Sequence, residues 1–592
     1  MTRMAELTRR PGGPFLMLLG SLCAALLLTL PAATARASQQ TEELRLLPPE
    51  QPVQESVYGS FLAGVIAERR GDYRAAADLM VHALSAEPDN AGLLMQAFML
   101  NAAEGRIDTA YALAERLQDL GHTDVASLLV LATGALAEGR AEDARELLAQ
   151  QPPSSLVELS RPVLDAWLAV AEDKGDEALE SLDEVGEQAG LDPLLALHRA
   201  LILDVLGRLD EAAEVAQTFL EENENYSLRL VWHLGNLLER AGMEEQAEAL
   251  YQEFQARNPD NSFLAEELQQ RRDDEQGALV PDAQRGFAEA LFDFASLLAQ
   301  EQAPIPALIH AQLALHLAPE LDTARLLTGE ILQFQNRREA AIAIYQSVPE
   351  DSPLAWSAQL RVAEELERLD RLEEAAETLR QLADLQPDRY EPLYRLGNLL
   401  RNQERFEEAA EVYSQALEVV GASQRQHWIL YYFRAICYER SKQWEKAESD
   451  FKRALELEPD QPFVLNYLAY SWIEQHRNLE EAEEMLVRAV EREPDDGHIT
   501  DSLGWLYYRL GEYQKAVEHL ERAVELQPLD PVINDHLGDA YWRVNRQREA
   551  VVQWRRALSL DPEEDEIPVI ERKIEEGLTD APTPELVPEE QI

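Results

Sequence analysis

Apolar residues recur along this chain at i, i+3, i+4 and i+7, the spacing that lines one face of an α-helix. Arg371–Gln386 (RLEEAAETLRQLADLQ) is typical: Leu372, Ala375, Ala376 and Leu379 share one stripe, and Glu and Arg fill the rest. Such stretches come in pairs separated by short polar turns, and the pairs repeat. Segments opening at Gly497 and Pro531 align without a gap at a period of about 34 residues. Leu503-Gly504 falls on Leu537-Gly538, Tyr507 on Tyr541, Ala516 on Ala550, Leu520 on Trp554, Ala523 on Ala557 and Pro528 on Pro562. The small residues let two antiparallel helices approach, the aromatic residues fill the space beside them, and the proline ends the second helix. Strand-type alternation is almost absent.

This small/large code resembles that of the tetratricopeptide repeat (TPR), over nearly the whole chain. The resemblance implies an all-α fold, a TPR superhelical solenoid of about 14 helix-turn-helix repeats, each packed on its neighbours. An N-terminal TPR array is expected over 57–261. Its units open at Val57, Ala91, Val125, Pro193 and Leu228, with a degenerate unit at 161–190 containing Trp167 and Ala178. The phase breaks over 262–287, which carries Arg271-Arg272-Asp273-Asp274-Glu275. A connector is expected there, where the superhelix changes direction or flexes. The C-terminal TPR array follows over 288–564, and one extra residue near Asn478 is expected to lengthen a turn. Residues 565–578 are expected to form a capping helix over the last apolar surface. The remaining 579–592, with three prolines and three glutamates, is read as a disordered acidic tail.

The N-terminus follows a different pattern. Arg3, Arg9 and Arg10 precede an apolar run from Phe15 to Leu30, and Ala33-Thr34-Ala35 and Ala35-Arg36-Ala37 offer small-x-small cleavage sites. This is the organisation of a secretory signal peptide over 1–37. Its apolar run is shorter than the ~20 residues of a membrane span. Cleavage before Ser38 leaves 38–56, rich in Gln, Glu and Pro, as a flexible leader and implies a periplasmic location. Cys23 carries a competing reading as a lipid-attachment site, which would add peripheral association with the outer membrane. Against it, Leu22 stands where a small residue normally precedes such a cysteine.

Charge narrows the partners. The 592 residues hold 53 Lys and Arg against 110 Asp and Glu, a net charge of −57. Nucleic acid requires the opposite balance, so it is excluded. An acidic surface favours solubility and steers basic segments of partners. The two cysteines, Cys23 and Cys437, form no C-x-x-C pair, which rules out a zinc site of that kind. No G-x-S-x-G, H-E-x-x-H or Walker A segment occurs, and repeats take up the length that a catalytic domain would need. His427, His476, His498, His519 and His536 cluster only in sequence. No enzyme, cofactor or metal site is expected.

The TPR resemblance also implies that the first helix of each pair lines a concave groove, through positions 2, 5, 9, 12 and 13 of the repeat. Residues on that face that the packing code does not require are the candidates for partner binding. They are Tyr394, Asn398, Tyr432, Asn466, Tyr470, Asp501, Trp505, Tyr508, Asp535, Asp539 and Trp542. Trp232, Asn236 and Arg240 hold the same face in the first array. Aromatic residues are common interface anchors, and a groove of this composition suits an extended peptide or a partner helix. A clamp of Lys and Asn for a terminal carboxylate is not reproduced, because Tyr394 stands where the Lys would be. An EEVD-like tail is therefore not an expected ligand.

A narrower resemblance rests on Asp501–Pro562 (DSLGWLYYRLGEYQKAVEHLERAVELQPLDPVINDHLGDAYWRVNRQREAVVQWRRALSLDP). It is similar to exported bacterial TPR proteins, in a proteobacterial family that includes the TPR lipoprotein partner of a carboxyl-terminal processing protease. The resemblance implies a non-catalytic adaptor in the cell envelope, holding the protease and presenting peptidoglycan hydrolases as its substrates. The alternative it leaves open is an envelope-assembly or polysaccharide-export scaffold.

Overall fold

The computed structural model describes residues 56–184, 191–223, 226–257, 277–421 and 423–578. The expected signal peptide, almost all of the leader, most of the connector and the whole of the tail lie outside them. From Val57 onward the chain forms one compact unit, and every regular element among the described residues is helical. Six antiparallel pairs come first: α1 (Val57–Arg69) with α2 (Tyr73–Ala83), α3 (Ala91–Ala103) with α4 (Ile107–Asp119), α5 (Val125–Ala137) with α6 (Ala141–Ala149), α7 (Ser155–Ala171) with α8 (Gly175–Asp183), α9 (Asp192–Val205) with α10 (Leu209–Glu222), and α11 (Leu228–Arg240) with α12 (Glu244–Arg257). Two further pairs open the second half: α13 (Ala283–Gln300) with α14 (Pro304–Leu317), and α15 (Asp322–Phe334) with α16 (Arg338–Tyr345). Six more complete it: α17 (Ala355–Arg368) with α18 (Leu372–Leu385), α19 (Glu391–Asn402) with α20 (Phe406–Val420), α21 (Trp428–Arg440) with α22 (Trp444–Leu457), α23 (Pro462–Glu474) with α24 (Leu479–Arg492), α25 (Gly497–Arg509) with α26 (Tyr513–Leu526), and α27 (Pro531–Arg543) with α28 (Gln547–Ser559). The final helix is α29 (Ile567–Glu576). The expected count of about 14 pairs holds.

Local chemistry sets the boundaries. Asp496 and Asp530 cap α25 and α27 by accepting from the backbone N–H three residues on, each at 2.9 Å. Glu373 and Glu374 in α18, and Glu407 and Glu408 in α20, occupy first turns, where the helix dipole favours negative charge. The turns within pairs use residues of positive φ, 78° at Gly511 but also 60° at Glu404 and 61° at Lys442. The turn before α24 has two, His476 at 53° and Asn478 at 51°, which absorb the extra residue seen in the sequence. Helices close tightly where the code requires it: a Cβ on Gly504 would stand 2.7 Å from Leu520. Pro152-Pro153-Ser154-Ser155, where the sequence pattern weakens, instead launches the 17-residue α7, with Ser154 as its cap.

The buried core divides late in the chain. One cluster runs without interruption from Ala76 to Cys437, and a second from Ala435 to Ile570. The 262–287 region therefore does not separate two cores. The second half opens five residues ahead of the expected Ala288, at Ala283, where Asp282 caps α13 by accepting from Arg285 N–H at 2.8 Å. The α13–α14 hairpin then packs across the inner helices of the first array: α13 on α7 and α9, α14 on α3 and α5. Gly286 permits this approach, since a Cβ there would lie 2.2 Å from the Trp167 ring.

Ion pairs fix the crossing. Arg229 of α11 reaches Glu289 and Asp293 of α13, both at 2.5 Å, and Arg285 reaches Glu289 at 3.0 Å. His198 bridges Trp167 Nε1 at 3.0 Å and Asp293 at 3.1 Å. Glu289 is fully buried. Burial is the largest single influence and would push its carboxyl up, but the surrounding cations, Arg229 foremost and then Arg285, together outweigh it and hold it at about 2. Farther along, Arg337 stacks over Tyr73 at 4.5 Å and pairs with Glu104, tying the second half to the first two repeats. Buried pairs of this kind contribute modest net stability, but breaking one strands a charge, so they specify how the hairpin sits.

Candidate protein-binding face

The inner helices of the two arrays meet different fates. In the first array the α13–α14 hairpin lies where a partner would. Asn236 is buried and donates to the Gly277 carbonyl at 3.5 Å, and Arg240 pairs with Asp204. The inner face of the second array is built by α15, α17, α19, α21, α23, α25 and α27, and there the sequence candidates fall into three groups.

Tyr394, Asn398 and Tyr432 gather around Phe433, a residue the sequence reading passed over. Tyr394 stacks on Phe433 with centroids 6.2 Å apart, and Tyr432 lies 5.3 Å from it. Asn398 accepts from the Tyr413 hydroxyl at 2.8 Å. Burial raises the Tyr432 phenol to about 12, so it remains a neutral hydroxyl. Arg401 lies over the Phe433 ring, 4.4 Å from its centroid.

Tyr470, Trp505 and Tyr508 form the second group, with Asn466 beside them on α23. All are partly exposed. The Trp505 indole is clamped between Tyr508, at 4.7 Å and 7° from parallel, and His536, at 3.9 Å and 11°. Its Nε1 donates to Glu474 at 2.8 Å. His536 Nδ1 lies 3.0 Å from both oxygens of Asp501. Burial favours the neutral imidazole, yet the Asp501 carboxylate outweighs it and raises the His536 pKa. Asp501 is thus consumed in orienting His536. Burial, reinforced by Glu474 and Asp501, raises the Tyr470 phenol, and Asn466 Oδ1 is buried without a hydrogen-bond donor.

The third group corrects the sequence reading. Asp535, Asp539 and Trp542 do not face an open groove. Lys573 of α29 reaches back to Asp535 at 2.6 Å and Asp539 at 2.9 Å, and Asp539 also accepts from Trp554 Nε1 at 2.9 Å. Trp542 packs on Trp554, with centroids 5.4 Å apart, and on Gly577. Two neighbouring carboxylates, Asp539 buried and Asp535 partly so, need a cation, and α29 supplies it. Lys573, 38 positions from Asp535, carried no sign of this role in the repeat pattern. Among the described residues, no group of three or more His, Cys, Asp or Glu is placed to hold a metal ion.

Residues 199–262 match the family model of the tetratricopeptide repeat. The chain folds as an all-α TPR solenoid. Residues 289–571 also match the model described as the C-terminal domain of cilia and flagella-associated protein 70. No curated protein matches the chain. Solved structures to which this TPR chain is similar include the APC/C hetero-tetramer Cut9–Hcn1, at 15% identity over 88% of this chain and 96% of that one, with a TM-score of 0.35. Yeast Tom70 is similar at 14% identity over 88% and 95%, with a TM-score of 0.29. The TPR protein YrrB, titled as having an unusual peptide-binding site, is similar at 18% identity over 34% and 96%, with a TM-score of 0.25. TPR solenoids are generally non-catalytic scaffolds that bind protein or peptide partners.

Proposed function

We propose that this TPR protein is an exported, periplasmic adaptor that holds a carboxyl-terminal processing protease and presents peptidoglycan hydrolases to it. The carrying observation is the aromatic group Tyr470, Trp505 and Tyr508, held rigid and partly exposed on the inner face of the second array. Rigid aromatic side chains bind at low entropic cost and anchor interfaces. The first array supports the same reading from the other side, because its groove is taken by α13–α14 and partners are left the second. The signal-like 1–37 segment and the resemblance of Asp501–Pro562 supply the compartment and the kind of partner.

Capture on the full chain from cell-envelope extracts tests this reading. A processing protease and a cell-wall hydrolase are expected to co-purify, and recovery of neither would sink the adaptor assignment. Trp505→Ala combined with Tyr470→Ala is expected to cut partner capture tenfold or more, since such anchors are each worth roughly 2 kcal/mol. Helical circular dichroism should be retained. A parallel loss of helicity would make these side chains packing residues.

A further inference from the structure

We propose that the inner face between α19 and α21 is a recognition site for a side-chain carboxylate, an Asp or Glu on a peptide lying along the groove, with Arg401 as its receptor. The inference rests on the reading of this face as a partner groove. Acidic residues outnumber basic ones two to one in this chain, and its partly buried arginines find carboxylates: Arg229, Arg285, Arg337, Arg338 and Arg434 all do. Arg401 is the exception. It forms no ion pair with any described residue, and its Nε is buried without an acceptor. A guanidinium partly removed from water with an unfilled donor carries a free-energy cost that an incoming carboxylate would relieve.

The acceptor within reach of Arg401 is the neutral Tyr413 hydroxyl, and the other polar groups add donors. The Tyr413 hydroxyl donates to Asn398 Oδ1, which leaves the Asn398 amide NH2 as a second free donor one turn before Arg401. Arg440, on α21, stacks over Phe406 at 5.1 Å and likewise has no carboxylate partner among the described residues. The floor is apolar and rigid, because Tyr394 and Tyr413 both stack on Phe433 at 6.2 Å. A planar guanidinium held over such a floor presents a fork that matches a carboxylate's two oxygens. Its single charge suits a carboxylate better than a phosphate dianion. Repeats continue on both sides of α19–α21, so a bound chain passes through and offers a side chain instead of its terminus.

The test uses the immobilised full chain and a pool of C-terminally amidated heptapeptides, randomised except for a central Glu in one half and Gln in the other. Captured peptides are counted by mass spectrometry. Glu peptides are expected to be enriched about tenfold over Gln peptides, the worth of a charge-assisted hydrogen bond. Arg401→Met, which keeps an aliphatic stem over Phe433, should abolish the enrichment; Arg401→Lys should keep most of it, and Arg395→Gln all of it. Each variant is checked for wild-type helicity. Equal capture of Glu and Gln peptides overturns this inference and leaves the groove reading standing, whereas capture of neither overturns both. Stronger capture of phosphoserine peptides, or capture only of peptides with a free C-terminus, also overturns it.

Discussion

Lys442 closes the turn between α21 and α22 at φ 61°, where its Cβ crowds the backbone and glycine would not. Lys442→Gly is expected to stabilise the protein by about 0.5–1 kcal/mol, the relief of that crowding exceeding the added freedom of the unfolded chain. A higher midpoint in urea unfolding checks this; a lower one would mean that the lysine side chain holds the turn. At this scale the repeat register told which face a side chain occupies but not what covers it. Trp505, Tyr508 and Tyr470 stay partly exposed on the first helices of their pairs. Asp539 lies on such a helix too, yet Lys573 takes it. Nothing in a 34-residue pattern announces a lysine from beyond the last repeat. Phe433 was passed over for a related reason: it looks like packing until Arg401, which the repeat register puts on the same face as Tyr394 and Asn398, is seen stacked on it.

At the scale of elements, the helices were almost entirely legible, because burial on a solenoid is imposed by nearest neighbours and each neighbour leaves the same stripe. The placement of α13–α14 was not. A helix that packs across another array shows the same 3.6-residue period as one that packs on its own partner, so periodicity cannot distinguish them. The crossing depends on a bare backbone at Gly286, where any Cβ meets the Trp167 ring. Gly286→Ala is expected to cost about 1–3 kcal/mol through overpacking, and more if the hairpin lifts. Hydrogen exchange should show α7, α9 and α13 losing protection together while α25–α28 keep theirs. Uniform loss across the chain would show that the two cores unfold as one.

At the scale of the molecule, acid acts in opposite senses on two buried clusters, one at the crossing and one at the C-terminal end. Burial holds His233 down at about 4, and Arg229 holds Glu289 at about 2 against its own burial. Both groups favour the folded crossing at higher pH. The His233 share is full above the unfolded value of about 6.5 and is lost as pH falls toward 4; the Glu289 share is full above about 4.3 and lost toward 2. At the C-terminal end, Asp501 raises His536 despite burial, so its share is full below about 6.5 and lost as pH rises through the raised value. Burial also raises Asp539 against the pull of Lys573, which likewise favours the folded end at lower pH. Between pH 7 and pH 5, exchange protection is expected to fall in α11 and α13 and to hold or rise in α25 and α27, after correction for intrinsic rates. The reverse order would refute the assignment.

The hairpin that fills the first array also imposes an order on biogenesis. A chain delivered N-terminus first completes its sixth pair about 60 residues before it completes α14. Contacts between successive pairs are local and form early, whereas the Arg337–Glu104 pair joins residues 233 positions apart and must wait. Throughout that interval the nascent first array exposes the groove, Trp167 and His198 included, that the finished protein hides.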